Sequence, residues 1–407
     1  MLASFSVRNF RSFRDEAILD LRSPRGGAIG VKPWDGNIQS VAGIYGANAS
    51  GKTSFFNAIR TMVYHISESY SRPIIAADAF AFDSASSNRP TQFSAMFIAE
   101  DGLCYSYGYK VLQGHVIDEW AERYTTARST RLFERNHQTI SYGTALKGAN
   151  RAVEKTMRTS TLYLSAAAAA EHEGLAPINN WFANKLRTYP ASGHEALLNK
   201  ALFSLAADPD RCQRLSNMML RADLGLSGFE LEKRDLPSSQ KAYIPKITEA
   251  LEAYAVFGMH HAGGQTYRLP FNLESDGTRA MLSHAFVIDE ALRTGATIVF
   301  DEIDASLHPL LVRELVRTFQ DSQLNPMQAQ FIFTTHDISL MESGYGDGAQ
   351  LKRNEIWITE KDEVGSSTLI AIADYSPRER DNIARRYMSG RFGGIPNSID
   401  LLDPMLV

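Results

Sequence analysis

The stretch VAGIYGANASGKT, residues 41–53, constrains this chain more than any other. A short apolar run, strand-like in length and composition, ends at a glycine. Then comes Gly46-Ala47-Asn48-Ala49-Ser50-Gly51-Lys52-Thr53, which satisfies the spacing G-x-x-x-x-G-K-T. Behind it Phe55, Phe56, Ile59, Met62, Val63 and Ile66 recur at helical spacing. A strand, a glycine turn and a helix in this order make a loop that wraps phosphate. The glycines let the backbone curl, and the successive N–H groups from Gly46 through Ser54 point at an anion at the helix N-terminus. Lys52 would reach the β- and γ-phosphates of ATP, and the Thr53 hydroxyl would ligate Mg²⁺. The expected fold class follows: α/β, a P-loop NTPase.

The totals agree with a folded, water-facing chain. It has 407 residues, 44% hydrophobic and 22% charged, enough for one large domain or two. The net charge of −4 gives no global footprint for nucleic acid, although a local patch stays open. Cys104 and Cys212 stand far apart, so neither a disulfide framework nor a metal knuckle is expected, and a reducing cytoplasm fits. No run of about 18 apolar residues occurs, so no membrane span is expected. The opening MLASFSVRNFRSF reads as a first strand and not as a leader.

Along the chain, ASFSVRNFRSFRDEAILDL alternates as strand–turn–strand, and residues 90–145 read as an antiparallel meander punctuated by tight turns. Residues 146–255 are rich in Ala, Leu and charge and read as mostly helical. Strand–helix alternation returns with ATIVFD and AQFIFTTH. The expected organisation is a split head. Residues 1–145 carry the loop and meander, 146–255 form a helical insertion, and 256–407 complete the head.

Three further segments carry chemistry. Ala296–Glu302, ATIVFDE, is a buried-type strand ending in two acids. Asp301 is placed for the Mg²⁺ side, directly or through water, and Glu302 for polarising an attacking water. His336 closes a second apolar strand and is placed for a γ-phosphate contact. Ser275-Asp276-Gly277-Thr278 opens the run RAMLSHAFVIDEALRTG, whose Met281, Ala285, Ile288 and Leu292 share a face. Taken alone, Ser275 is a helix cap. The order changes that reading. A phosphate loop, a Ser-x-Gly helix start, a strand with Asp-Glu, then Ile303–Pro309 (IDASLHP) and a strand with His run in the sequence of an ABC-type ATPase head, which this chain resembles.

In such a head the Ser275–Gly277 turn of one copy covers ATP held by another, and Asp304 lies in the D-loop. The resemblance therefore implies a homodimer or a higher homo-oligomer. The long stretch between Lys52 and Ser275 resembles the RecF/SMC/OLD branch. LESDGTRAM, IVFDEIDASLHPLLVRELV, AQFIFTTHDISLME and RRYMSGRFGGIP are similar to ATPases of the AbiL/RloA abortive-infection type, cousins of the PARIS-system ATPase. That family implies anti-phage defence and a separately encoded effector, often a TOPRIM-type nuclease. The complete expectation is an ABC-ATPase-like head with an antiparallel meander and a helical insertion, and an ATP hydrolase using Lys52, Glu302 and His336.

Eight positions stay open. Gln92 is the candidate for a metal-side Q-loop glutamine, or an ordinary surface residue. Arg11 and Phe13 fit nucleotide contacts or a strand edge. The arginines at 378, 380, 385, 386 and 391 fit a docking patch or a solvated terminal helix. A RecF-like DNA-repair ATPase and a nucleotide-gated scaffold with little turnover are the alternative functions.

Overall fold

The computed structural model describes residues 1–22, 37–72, 77–125, 128–192, 194–222, 225–233, 254–305, 307–342, 351–376 and 381–395. The chain divides into two compact units. The first comprises Met1–Tyr189, Gly295–Asp301 and Arg313–Val407; the second comprises Pro190–Thr294 and Glu302–Val312.

Two sheets build the first unit. One is a seven-stranded antiparallel sheet in the order β2-β1-β4-β5-β6-β7-β8. Its strands are β1 (Leu2–Arg8), β2 (Ala17–Asp20), β4 (Thr91–Ile98), β5 (Cys104–Leu112), β6 (His115–Tyr124), β7 (Ser129–Asn136) and β8 (Thr139–Tyr142). The other has six strands in the order β16-β15-β3-β14-β13-β9. These are β3 (Val41–Tyr45), β9 (Leu186–Tyr189), β13 (Thr297–Phe300), β14 (Gln330–Thr334), β15 (Ile356–Lys361) and β16 (Ser367–Ala371). They pair in parallel except β15 with β16. β3, β13 and β14 are buried throughout, as a sheet covered on both faces requires. The meander alternates instead; β4 buries Thr91, Phe93, Ala95 and Phe97.

One core joins the two sheets. The helix Lys52–Glu68 puts Phe55 edge-on to Phe5 of β1, with ring centroids 5.5 Å apart. Gln330, fully buried on β14, ties the elements by hydrogen bonds. Its Nε2 donates to the carbonyls of Leu2 and Gln39, both at 2.9 Å, and its Oε1 accepts from Thr297 Oγ1 at 2.7 Å. A buried ion pair fastens the far end of the meander. Glu119 and Arg135 lie 3.5 Å apart, at 0% and 1% side-chain exposure. The Glu119 carboxylate also accepts the N–H groups of Tyr163 and Leu164, the first residues of the helix Tyr163–Ala169. Burial pushes the Glu119 carboxyl above its ordinary range, against the pull of Arg135 and these N–H groups.

Residues 146–255 differ from the mostly helical insertion expected. The short helices Asn150–Glu154, Tyr163–Ala169 and Ala176–Asn180 are there, but β9 follows them and adds an edge to the parallel sheet beside β13. Four residues, LRTY, carry too short a pattern to announce a strand; the pairing of Leu186–Tyr189 with Thr297–Phe300 makes it one. The compact units accordingly place residues 146–189 with the sheets of the first unit.

The second unit is helical with a small sheet. Helix His194–Ala207 precedes helix Pro209–Arg221, which starts as a helix should: Asp208 caps the Arg211 N–H at 3.0 Å and Pro209 takes the first turn. Strands β10 (Leu226–Lys233), β11 (Tyr254–Ala262) and β12 (Gln265–Pro270) make an antiparallel sheet. Part of the expected helical run, residues 234–253, lies outside the described residues. Helix Asp276–Thr294 is pinned by Asp289, 5% exposed, which pairs with Arg214 at 2.6 Å and Arg211 at 3.3 Å. Among the described residues no helix is long and apolar enough to cross a membrane.

Candidate functional site

The glycine loop runs from the C-terminal end of β3 into the helix Lys52–Glu68. Three residues take left-handed backbone: Gly46 (φ 153), Ala49 (φ 62) and Gly51 (φ 124). A side chain at Gly46 would collide with Ser50 and Thr359. The helix has no side-chain cap on its first N–H groups and no acid in its first turn. An uncapped helix start wrapped by a glycine loop is a site for an anion. Lys52, 6% exposed, donates from Nζ to the carbonyls of Gly46 (2.8 Å) and Ala47 (3.1 Å). Its charge therefore lies over the loop.

The loop is held from the side by strands that come late in the chain. Ser50 Oγ lies 2.6 Å from Thr359 Oγ1, which itself donates to the Tyr45 carbonyl at 3.0 Å. Ser367 Oγ donates to the Ser50 carbonyl at 2.6 Å. Tyr387 Oη donates to the Gly394 carbonyl at 3.0 Å, and a Cβ on Gly394 would meet Ile358 at 2.5 Å and lie 3.5 Å from Gly46 Cα. These partners are single hydroxyls and glycines far along the chain, and no local pattern marks them.

At the neighbouring strand ends the acid and hydroxyls converge. Thr53 Oγ1 lies 3.4 Å from Asp301 Oδ1. Thr334 Oγ1, at the end of β14, donates to the same oxygen at 2.7 Å. The Asp301 N–H donates to the Tyr189 carbonyl at 3.0 Å, which fixes the exit of β13 against β9. A hydroxyl and a carboxylate are oxygen ligands of the kind Mg²⁺ takes, with its remaining positions left to water and phosphate. The chain's residues thus fit that ion. Thr334 is a site residue that sequence reading missed; a threonine ending an apolar strand is unexceptional until the register places it beside Asp301.

The other expected residues fall as follows. His336 is exposed and lies just past β14, the strand between β3 and β13. Glu302 follows Asp301 with φ 51, a strained backbone for glutamate, and its carbonyl accepts from Ala305 N–H at 3.0 Å. Asp304 sits in the short 3₁₀ turn Ile303–Ala305. Ser306 of the same segment lies outside the described residues, and Pro309 opens the helix Pro309–Gln320. Gln92 is on β4, facing Arg8 and Lys110 across the strands. Arg11, with φ 49, pairs with Asp78 at 3.2 Å. Phe13 is fully buried against Phe55, a core residue. Arg386 pairs with Asp381 at 2.8 Å, and Arg385 and Arg391 are exposed; positions 378 and 380 lie outside the described residues.

In the second unit the Ser275 hydroxyl accepts the Thr278 N–H at 3.1 Å and caps the helix Asp276–Thr294. Ser275, Asp276 and Gly277 are exposed, and a Cβ on Gly277 would meet only Ser275 Oγ, at 3.8 Å. A cavity of about 330 Å³ adjoins the turn, lined in part by Asp276, Gly277 and Arg279.

A family model described as "AAA domain, putative AbiEii toxin, Type IV TA system" matches residues 41–342. Among solved structures, the chain is similar to an SMC head bound to the C-terminal winged-helix domain of ScpA. That match has 12% identity and a TM-score of 0.44, over 91% of this chain and 97% of that one. It is similar to the SMC head domain from Thermotoga maritima at 14% identity and TM-score 0.39, over 91% and 98%. The recombination mediator protein RecF gives 14% identity and TM-score 0.37, again over 91% and 98%. No curated protein matches significantly.

Proposed function

Because the chain belongs to the family described as AAA domain, putative AbiEii toxin, Type IV TA system, and so is an ATPase domain of the AAA/ABC type, we propose that it binds and hydrolyses ATP between two copies of itself. The observation that carries this reading is the hydrogen-bonded set Thr53–Asp301–Thr334 beside an uncapped, lysine-bearing helix start. Amides 46–54 and Lys52 cradle the triphosphate. Thr53 and Asp301 hold Mg²⁺, which when bound supplies charge at the phosphates. Thr334 orients the Asp301 carboxylate. Glu302 takes the proton from the attacking water, and His336 steadies the γ-phosphate. The exposed Ser275–Gly277 turn of the second copy covers the phosphates, with Asp304 at the seam.

ATP-driven closing and opening then changes the shape of the assembly and gates a partner effector. Defence against phage is the setting proposed for this gating. A separately encoded nuclease is the effector class proposed, and the cytoplasm is the proposed compartment. Steady-state ATPase assays and light scattering on Glu302→Gln and Lys52→Ala test the reading. Glu302→Gln should accumulate an ATP-bound dimer with turnover down about a hundredfold or more. Lys52→Ala should stay monomeric with ATP. Wild-type turnover in Glu302→Gln would remove it from the role of base.

A further inference from the structure

Glu274 stands directly before the Ser275–Gly277 turn and has no part in the nucleotide chemistry assigned above. Its side chain is 5% exposed, whereas Ser275, Asp276 and Gly277 beside it are exposed. A carboxylate is rarely buried without a partner. Here the partner is His260 of β11, whose Nε2 lies 2.7 Å from Glu274 Oε1 and donates to it. This is the one hydrogen bond that carboxylate makes among the described residues.

β11 is shaped to receive the carboxylate. Gly258 and His260 are two residues apart and so share a face of the strand. A Cβ on Gly258 would come within 2.2 Å of Glu274 Oε1. Glycine leaves the room, and histidine supplies the donor. A second fastening lies three residues earlier. Phe271 is buried edge-on to Phe229 of β10, with ring centroids 5.6 Å apart, and its carbonyl accepts the Glu274 N–H at 3.3 Å. The chain is therefore fixed to the three-stranded sheet up to the residue at which the exposed turn begins.

The Ser275 cap ties the turn to its own helix and does not involve the sheet. An apolar residue at 274 would hold the segment down at a lower desolvation cost than a buried carboxylate does. What the hydrogen-bonded pair adds is direction. We propose that His260 is a positioning residue for ATP turnover. Through Glu274 it sets how the Ser275–Gly277 turn is presented to the nucleotide of the other copy, and Gly258 keeps the seat open. This rests on the reading of the turn as the second half of the ATP site.

The test is steady-state ATPase kinetics, thermal denaturation and ATP binding by the monomer, on the full chain carrying His260→Leu, His260→Gln or Gly258→Ala. His260→Leu and Gly258→Ala should lower kcat about ten- to a hundredfold, the scale of a group misplaced by about 1 Å, with monomer ATP binding unchanged. His260→Gln keeps a donor and should retain most of the rate. Gly258→Ala pushes the flexible end of Glu274 aside without removing His260, so it answers the question should His260→Leu fail to fold. Gly277→Arg separates the two claims. A wild type without turnover, or full turnover in Gly277→Arg, removes the premise and overturns both. With Gly277→Arg inactive, three results overturn the positioning role alone. They are wild-type kcat in Gly258→Ala, a rate in His260→Gln as low as in His260→Leu, and a lowered melting temperature without loss of kcat.

Discussion

The phosphate loop and the Ser275–Gly277 turn are both helix starts, and they are built in opposite ways. The loop's helix has no side-chain cap, its lysine is buried, and hydroxyls from two late strands hold Ser50, one by its side chain and one by its carbonyl. The turn caps itself through Ser275, stands exposed, and has open space over Gly277. The first is a braced loop at a helix start that no side chain caps; the second is a self-capped turn on the surface. An anion site shared by two copies needs one of each. A half that is pre-organised binds, and a half that is exposed is free to leave.

Substitutions can break that contrast. The largest effect is expected from Gly277→Arg, which fills the open space with a long cation. It should abolish ATP-dependent dimerisation, and with it turnover, while leaving the melting temperature and monomer nucleotide binding near wild type. Light scattering with thermal denaturation reads both. Loss of nucleotide binding in that variant would show that the turn is not a separate half. Next comes Thr334→Val, which removes the donor to Asp301 with little change of volume. The Mg²⁺ concentration needed for half-maximal turnover should rise about 10- to 100-fold; an unchanged requirement would detach Thr334 from the site. The smallest effect is Ser275→Ala. Loss of the cap should cost about 1 kcal/mol of stability by denaturant titration, with a loss of turnover larger than that destabilisation explains. A loss of stability alone would reduce Ser275 to its capping role.

What could be read from the sequence was what lies contiguously along it. Strand, glycine turn and helix at 41–68 are one uninterrupted pattern, and so are the Asp-Glu after β13 and the His after β14. The P-loop α/β fold and the antiparallel meander follow from these patterns and are the fold observed. What could not be read depends on register between distant strands. Thr359, Ser367 and Thr334 are plain strand hydroxyls until pairing sets them beside the loop or Asp301. β9 is four residues that a propensity pattern cannot distinguish from a helix end. Gln330 shows the same limit inside the core, since its amide finds partners in β1, near β3 and in β13 only once the sheet is assembled.

The grip on Ser50 has a consequence for biosynthesis. Its two staples lie 309 and 317 residues further along the chain. A ribosome thus releases the entire loop motif long before it has made what holds that loop in shape. The loop's full set of hydrogen bonds therefore closes only after the strands Ile356–Lys361 and Ser367–Ala371 have been made.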